Sequence, residues 1–271
     1  MVPFPQITRV ERTSSDNWTA RVSEDWAQGR AAFGGQLSGV ALRALRSLVD
    51  DDRRLRSVLV DFIAPAAPGP LELEARVLRS GRALTQAEAR LRQDGVLVAV
   101  VIAAYGADRQ TAVAWPAPAR GDVPDPSSLM GFPFIPGLTP AFTQHFDYRW
   151  ATHRLPFTGA EHPEVRGFVR PGPGEGGVDE AMLLALIDSW PAPVLAMAEG
   201  PTPASTVTWM VDIVGPLPDS VDDDPGQYWW FESDATAAAD GYADVHGRIF
   251  DPSGRLVATS RQLVVEFSRP R

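Results

Sequence analysis

The hexapeptide Val-Asp-Phe-Ile-Ala-Pro at residues 60–65 returns as Val-Asp-Ile-Val-Gly-Pro at residues 211–216. Only apolar or small residues are exchanged between the two. A spacing of 151 residues is far outside the periods of stacked repeats, so it points to a duplicated domain. Two further pairs support this. RLRQDGVLVA (Arg90 to Ala99) resembles RIFDPSGRLVA (Arg248 to Ala258), and each reads as strand, turn, strand. Asp94-Gly95 and Asp251-Pro252-Ser253-Gly254 supply the backbone freedom that a hairpin turn needs. GGQLSGVALRAL from Gly34 resembles GGVDEAMLLALI from Gly176. The three pairs occur in the same order in both halves.

The repeat sets the expected organisation. Between the copies lies a proline-dense stretch, Trp115 to Pro140. Proline fixes φ and removes an amide donor, which excludes central strand or helix there. The expected units are therefore residues 1–114, a linker at 115–140, and residues 141–271. In the first unit Leu37, Val40, Ala41, Ala44, Leu45 and Leu48 fall on one face of a helix. Strand-like runs follow at Leu55–Ile63, Leu71–Leu78, Ala83–Arg92 and Val96–Tyr105, with a further strand at Trp18–Val22 before the helix. In the second unit the helix spans about Val178–Ser189 and is stopped by Pro191. Strands are expected at Val165–Val169, Ser205–Val214, Gln227–Ala235, Tyr242–Phe250 and Arg255–Phe267. Every residue from Ala181 to Ile187 is apolar, which predicts a helix buried on most sides. An antiparallel sheet wrapped around a buried helix accounts for both patterns and gives an α+β class.

Composition excludes several functions. The net charge is −9, against generic nucleic-acid binding, and all 25 basic residues are arginine. There are no cysteines, so no disulfide framework and no thiolate metal site. The N-terminus lacks the charged and apolar regions of a signal peptide. No apolar run reaches the ~20 residues of a membrane span. A cytoplasmic protein is expected. His145, His153, His162 and His246 lack metal-ligand spacing and read as surface or strand residues. His145 and His153 with Asp147 evoke a dehydratase dyad, but FDYRWATH reads as alternating strand and turn. GPGEGG at 172–177 is no P-loop, because no Gly-Lys-Ser/Thr follows. The acidic stretch at 219–226 reads as a solvated loop, with calcium binding the lesser alternative.

Both halves resemble the hotdog fold, and the tandem pair resembles the acyl-CoA thioesterase II (TesB-like) family. The resemblance rests on FGGQLSGVALRAL from Phe33 and FIAPAAPGPLELEARVLRSGRAL from Phe62 in the first half. In the second it rests on LIDSW, STVTWMVDIVGPL and DPSGRLVATSRQ. It implies a double hotdog, in which the matched hexapeptides are equivalent strands of a pseudo-dimer. It also implies hydrolysis of a fatty acyl-CoA, without cofactor, by an Asp, a Thr and a Gln. By motif these are Asp188, Thr206 and Gln262. Single hotdogs act as dimers, and a homo-oligomer of the fused chain is compatible with that habit.

The repeat bears on these residues independently of the family. Aligning the copies places Arg46 opposite Asp188, Leu55 opposite Thr206, and Ala103 opposite Gln262. All three polar groups exist in one copy only, so one catalytic site per chain is expected. A carboxylate serves as general base toward water. Burial and the C-terminal end of a helix both disfavour its charged form and raise its pKa. Thr206 and Gln262 are neutral hydrogen-bonding groups suited to orienting that water. Each residue also has an ordinary reading: Asp188 as a turn or capping residue, Thr206 as a strand residue, Gln262 as an edge position. Gly34, Gly35 and Gln36 open the first helix, where free amides bind an oxyanion. The resemblance implies that amides near Gly35 and Gln36 polarise the thioester carbonyl. The alternative is that the glycines permit close packing. An acyl-binding protein without activity and a hotdog hydratase or dehydratase are the rival functions.

Overall fold

The computed structural model describes residues 1–152, 154–217 and 227–268. Two helices, α1 (Gly34–Arg46) and α2 (Glu180–Asp188), pack against one large antiparallel sheet. Its main strands are β1 (Asn17–Val22), β2 (Arg54–Phe62), β3 (Gly69–Ser80), β4 (Leu84–Gln93), β5 (Val96–Gly106), β6 (Phe146–Trp150), β7 (Glu164–Pro171), β8 (Ala204–Ile213), β9 (Trp229–Ala239), β10 (Tyr242–Phe250) and β11 (Leu256–Glu266). Across the sheet they run β1-β3-β4-β5-β2-β8-β11-β10-β9-β7-β6, with the two-residue strands Glu11–Arg12 and Met130–Gly131 at the outer edges. Read outward from the central β2–β8 join, β5, β4, β3 and β1 mirror β11, β10, β9 and β7. This is a double hotdog, as the resemblance implied.

The join carries the two-fold relation in its register. Val60 pairs with Trp209, Leu59 with Met210 and Val58 with Val211. Leu59 and Met210 each stand one residue before a hexapeptide, so each pairs with its own counterpart. The helices obey the same symmetry. Gly39 and Ala181 are the sixth residues of the matched helical stretches, and a Cβ on Gly39 would lie 3.6 Å from the Ala181 Cβ. A Cβ on Gly35 would stand 2.8 Å from the Ala185 Cα. The helices therefore run antiparallel, and glycine sets how closely their N- and C-terminal halves meet. From Ala181 to Ile187 every residue is buried, as the uninterrupted apolar run requires.

One feature of the sequence reading is corrected. His162 and His246 are exposed, but His145 is buried at the end of a short 3-10 turn. Its ring stacks on Trp26 at 3.9 Å. Nδ1 lies 2.7 Å from Glu175 and Nε2 lies 3.1 Å from the Asp25 carbonyl. The side-chain carboxylates of Asp25 and Glu175 accept the amides of Val2 and Phe4, which ties the N-terminal segment over α1. Buried ionisable groups need such partners, and the partners come from segments remote in sequence. His153 and the acidic stretch at 219–226 lie outside the described residues.

Gly35→Ala tests the helix contact. Alanine ordinarily gains up to about 1 kcal/mol over glycine inside a helix. Here its Cβ would meet backbone at 2.8 Å and the Phe33 ring at 2.5 Å, so overpacking prevails. Denaturant unfolding should show a net loss of about 1–3 kcal/mol.

Candidate active site

Asp188 is the last residue of α2, a helix with no basic residue in its final turn. Its Oδ2 accepts the backbone N–H of Gly35 at 2.7 Å. The carboxylate thus caps the N-terminus of α1 from the other half of the molecule. The N-cap position of α1 itself, Phe33, offers no side-chain acceptor. Asp188 is half-buried, and its carboxyl is pushed up to about 7, first by burial and against the opposing pull of the Gly35 amide. The Tyr148 hydroxyl of β6 donates to the Ser189 carbonyl at 3.2 Å. This neutral donor satisfies a helix-end carbonyl without bringing a cation to the carboxylate.

Thr206 and Gln262 form the second pair. They sit on the inner face of neighbouring strands β8 and β11, and the Thr206 hydroxyl donates to Gln262 Oε1 at 2.8 Å. Thr206 lies at a bulge, where the β8–β11 register shifts between Thr206 and Thr208. Its counterpart Leu55 lies at the matching shift in β2–β5. Gln262 pairs with Trp209 as Ala103 pairs with Val58. The sheet register thus reproduces the alignment drawn from the sequence.

Phe62 links the two pairs. A Cβ built on Gly34 would meet Asp188 Oδ2 at 2.7 Å and Phe62 Cζ at 3.0 Å. Phe62 follows Asp61, which pairs with Thr208 at the edge of the bulge. The end of β2 therefore brings the Asp188–Gly35 contact alongside the strand that carries Thr206.

The amides at the start of α1 are not all available, which corrects the expectation for Gly35 and Gln36. Gly35 donates to Asp188, and Gln36 donates its backbone N–H to the Phe33 carbonyl at 3.1 Å. The Gln36 side chain is buried and turned to the Arg21 carbonyl at 3.1 Å. Among the described residues none accepts the Gly34 N–H, which leaves that first-turn amide for a ligand oxygen.

The place opposite Asp188 in the first half has different chemistry. Arg46 there stacks on the Tyr105 ring at 4.8 Å and donates to the carbonyls of Val49, Asp50 and Arg53. Glu180 reaches across from α2 and accepts the Leu55 N–H at 2.7 Å. The Glu180 contact and the Arg46 cap were not visible in the sequence, because their partners, the Leu55 amide and the carbonyls of Val49, Asp50 and Arg53, are fixed by the packing of the elements. Among the described residues no cluster of three or more His, Asp or Glu has a metal-binding arrangement.

Two family models match the chain. The acyl-CoA thioesterase N-terminal domain covers residues 22–106 and the acyl-CoA thioesterase C-terminal domain covers residues 118–265. No curated protein matches the chain at a significant level. Among solved structures, a hot-dog-fold protein of unknown function from Alicyclobacillus acidocaldarius is similar at TM-score 0.88 and 24% identity, covering 98% of each chain. A putative thioesterase II from Thermobifida fusca is similar at TM-score 0.82 and 25% identity, covering 99% of this chain and 98% of that one. An acyl-CoA thioesterase II from Mycobacterium marinum has TM-score 0.75 and 16% identity over 98% of each.

The raised carboxyl predicts a stability signature. Between the ordinary value of about 4 and about 7, the folded state binds more proton at Asp188 than the unfolded state. That contribution is fully present below about pH 4 and is lost as pH rises through 7. Asparagine keeps an acceptor for the Gly35 amide and carries no charge. Asp188→Asn should therefore match the parent at pH 4.5 and exceed it at pH 8.5, by roughly 1–3 kcal/mol in denaturant unfolding.

Proposed function

The chain belongs to the acyl-CoA thioesterase family and is a thioester hydrolase, and from that premise we propose that it hydrolyses a fatty acyl-CoA with a water activated by Asp188. The observation that carries this reading is the Asp188 carboxylate, fixed by the Gly35 amide at 2.7 Å and held near neutral pKa by burial. A base with a pKa near working pH combines availability with proton affinity. The proposed organisation is a hotdog at 1–114, a linker at 115–140 and a hotdog at 141–271, acting in the cytoplasm. No helix among the described residues is long and apolar enough to cross a membrane.

The proposed chemistry follows from the donors and acceptors left over. The Thr206 hydroxyl hydrogen goes to Gln262 Oε1, which leaves the Thr206 oxygen as an acceptor and the Gln262 NH2 as a donor. Water donates one proton to Asp188 and its other hydrogen bond to Thr206, and accepts from Gln262. One lone pair then remains for the thioester carbonyl carbon. As the carbon–oxygen bond forms, the first proton passes to Asp188. The Gly34 amide, the unengaged donor of the first turn, faces the developing oxyanion. Collapse expels CoA thiolate, a good leaving group, and yields the free acid. Fixed orientation of water and carbonyl supplies the remaining rate. Arg46, Leu55 and Ala103 supply neither a base nor a matching water holder, so this reading has one productive site per chain.

Thiol release from a panel of acyl-CoAs tests it. Asp188→Asn should lower kcat by about 10²–10⁴-fold, the range for loss of a general base. The parent's kcat/KM should rise with pH up to about 7 and then level, because the deprotonated carboxyl is the active form. A non-hydrolysable analogue should bind once per chain. Wild-type turnover by Asp188→Asn, or two equivalent sites, would overturn the mechanism.

A further inference from the structure

Phe62 is the third residue of the first hexapeptide, and Ile213 takes its place in the second. Phe62 is the one aromatic residue in either hexapeptide. Alternation along β2 puts Phe62 on the inner face with Val58 and Val60. It packs against the main core on one side and remains partly open on the other. The Cζ of its ring and the Asp188 Oδ2 lie 3.0 and 2.7 Å from one point beside Gly34. Ring edge and carboxylate are therefore within about 6 Å of each other. The backbone at Phe62 also lies beside the Thr206 bulge, because Phe62 follows Asp61, the partner of Thr208. A residue of the first half thus stands in the site formed by the second.

The other groups facing Asp188 are few. The α1 N-terminus contributes the Gly35 N–H. Strand β6 contributes the Tyr148 hydroxyl, which is turned to the Ser189 carbonyl and whose own ionisation is disfavoured first by burial and also by the nearby Asp188 charge. Asp61, beside Phe62, is exposed on the outer face. No described arginine or histidine forms an ion pair with Asp188, whereas Asp147, Glu88 and Glu232 each pair with arginine. Apolar cover rather than a counter-charge sets the environment of this carboxylate.

We propose that Phe62 is a positioning residue: its ring shields one side of Asp188 from bulk solvent and confines the attacking water to the side of Thr206 and Gln262. This rests on the reading of Asp188 as the base. An apolar wall disfavours the charged carboxylate and raises its basicity. Removing the wall lets water in, stabilises the anion and weakens the base. Leucine retains part of the apolar cover, and alanine retains little.

The test measures the carboxyl itself and the rate separately. Carboxyl-¹³C-labelled aspartate is followed by NMR across pH in the parent, Phe62→Leu and Phe62→Ala, with the resonance assigned by its loss in Asp188→Asn. Phe62→Ala should lower the Asp188 titration midpoint by about one unit or more, and Phe62→Leu by clearly less. The acid limb of the kcat profile should move down in pH by the same amount. Plateau kcat should fall a few-fold, with KM changing less. An unmoved midpoint in folded Phe62→Ala overturns the proposal, whatever the rate does. If alanine prevents folding, Phe62→Val gives the same comparison. A midpoint that moves while the kinetic limb stays fixed supports the role of Phe62 at the carboxylate and defeats Asp188 as the base.

Discussion

The ladder between β2 and β8 is the contact on which the molecule depends. It turns two sheets into one and fixes how the halves face each other. Because Leu59 pairs with Met210, the join is centred on a two-fold relation, and everything on one side has a place on the other. A slip of one residue would turn the inner faces of β2 and β8 outward. Val58, Val60, Trp209 and Val211, all buried, make that slip costly. The helices inherit the same relation: Gly39 lies against Ala181, which brings the start of α1 to the end of α2.

That proximity creates an electrostatic problem, and the two halves resolve it differently. Where the start of α1 meets the end of α2, Asp188 accepts an amide from the positive end of one helix while sitting at the negative end of its own. The two dipole effects oppose each other at the carboxylate. Burial then decides the balance toward the neutral form. At the opposite crossing a cation, Arg46, ends α1 and satisfies the carbonyls that follow it. Cations are favoured at a helix C-terminus, so this is the stable solution. The Asp188 end lacks that stabilisation, and its carbonyl cap is the neutral Tyr148 hydroxyl.

The sequence exposes the architecture because a duplication leaves its own internal control. The order of strands and helices, the hexapeptide join and the positions opposite Asp188, Thr206 and Gln262 all follow from three matched pairs. Proline density likewise marks the stretch at 115–140, where the described strand content is two edge residues, Met130 and Gly131, and one bridge from Ala119 to Arg255. What stays hidden is contact between elements of different register. His145 shows no sign of burial in its neighbours, since Trp26, Asp25 and Glu175 arrive from distant segments. The occupied Gly35 amide is hidden for the same reason: a helix N-terminus reads as free until its acceptor, 153 positions away, is located. Phe62 was legible as a difference between the hexapeptides, but its meaning requires knowing that the end of β2 faces Asp188 rather than Arg46.

On the proposed reading of Asp188 as the base, the asymmetry explains how a fused pair supports one site where a symmetric dimer would build two. In a symmetric pair any residue placed at the base position appears twice, and each substitution must suit both crossings. Once the copies share a chain they diverge separately. Here one crossing keeps Asp188 with Thr206 and Gln262. The other carries Arg46 and Glu180, and has Leu55 and Ala103, both buried, at the places of Thr206 and Gln262. Glu180 then occupies the Leu55 amide. The second crossing thus engages its Arg46 and Glu180 side chains in internal hydrogen bonds, whereas the first retains half-buried groups with hydrogen-bonding capacity to spare. Burial with partners stabilises a fold, and partly unfilled capacity at a held geometry is what chemistry requires. Dividing these demands between the halves lets the Arg46 crossing anchor the sheet and helices while the Asp188 crossing keeps a carboxyl near neutrality.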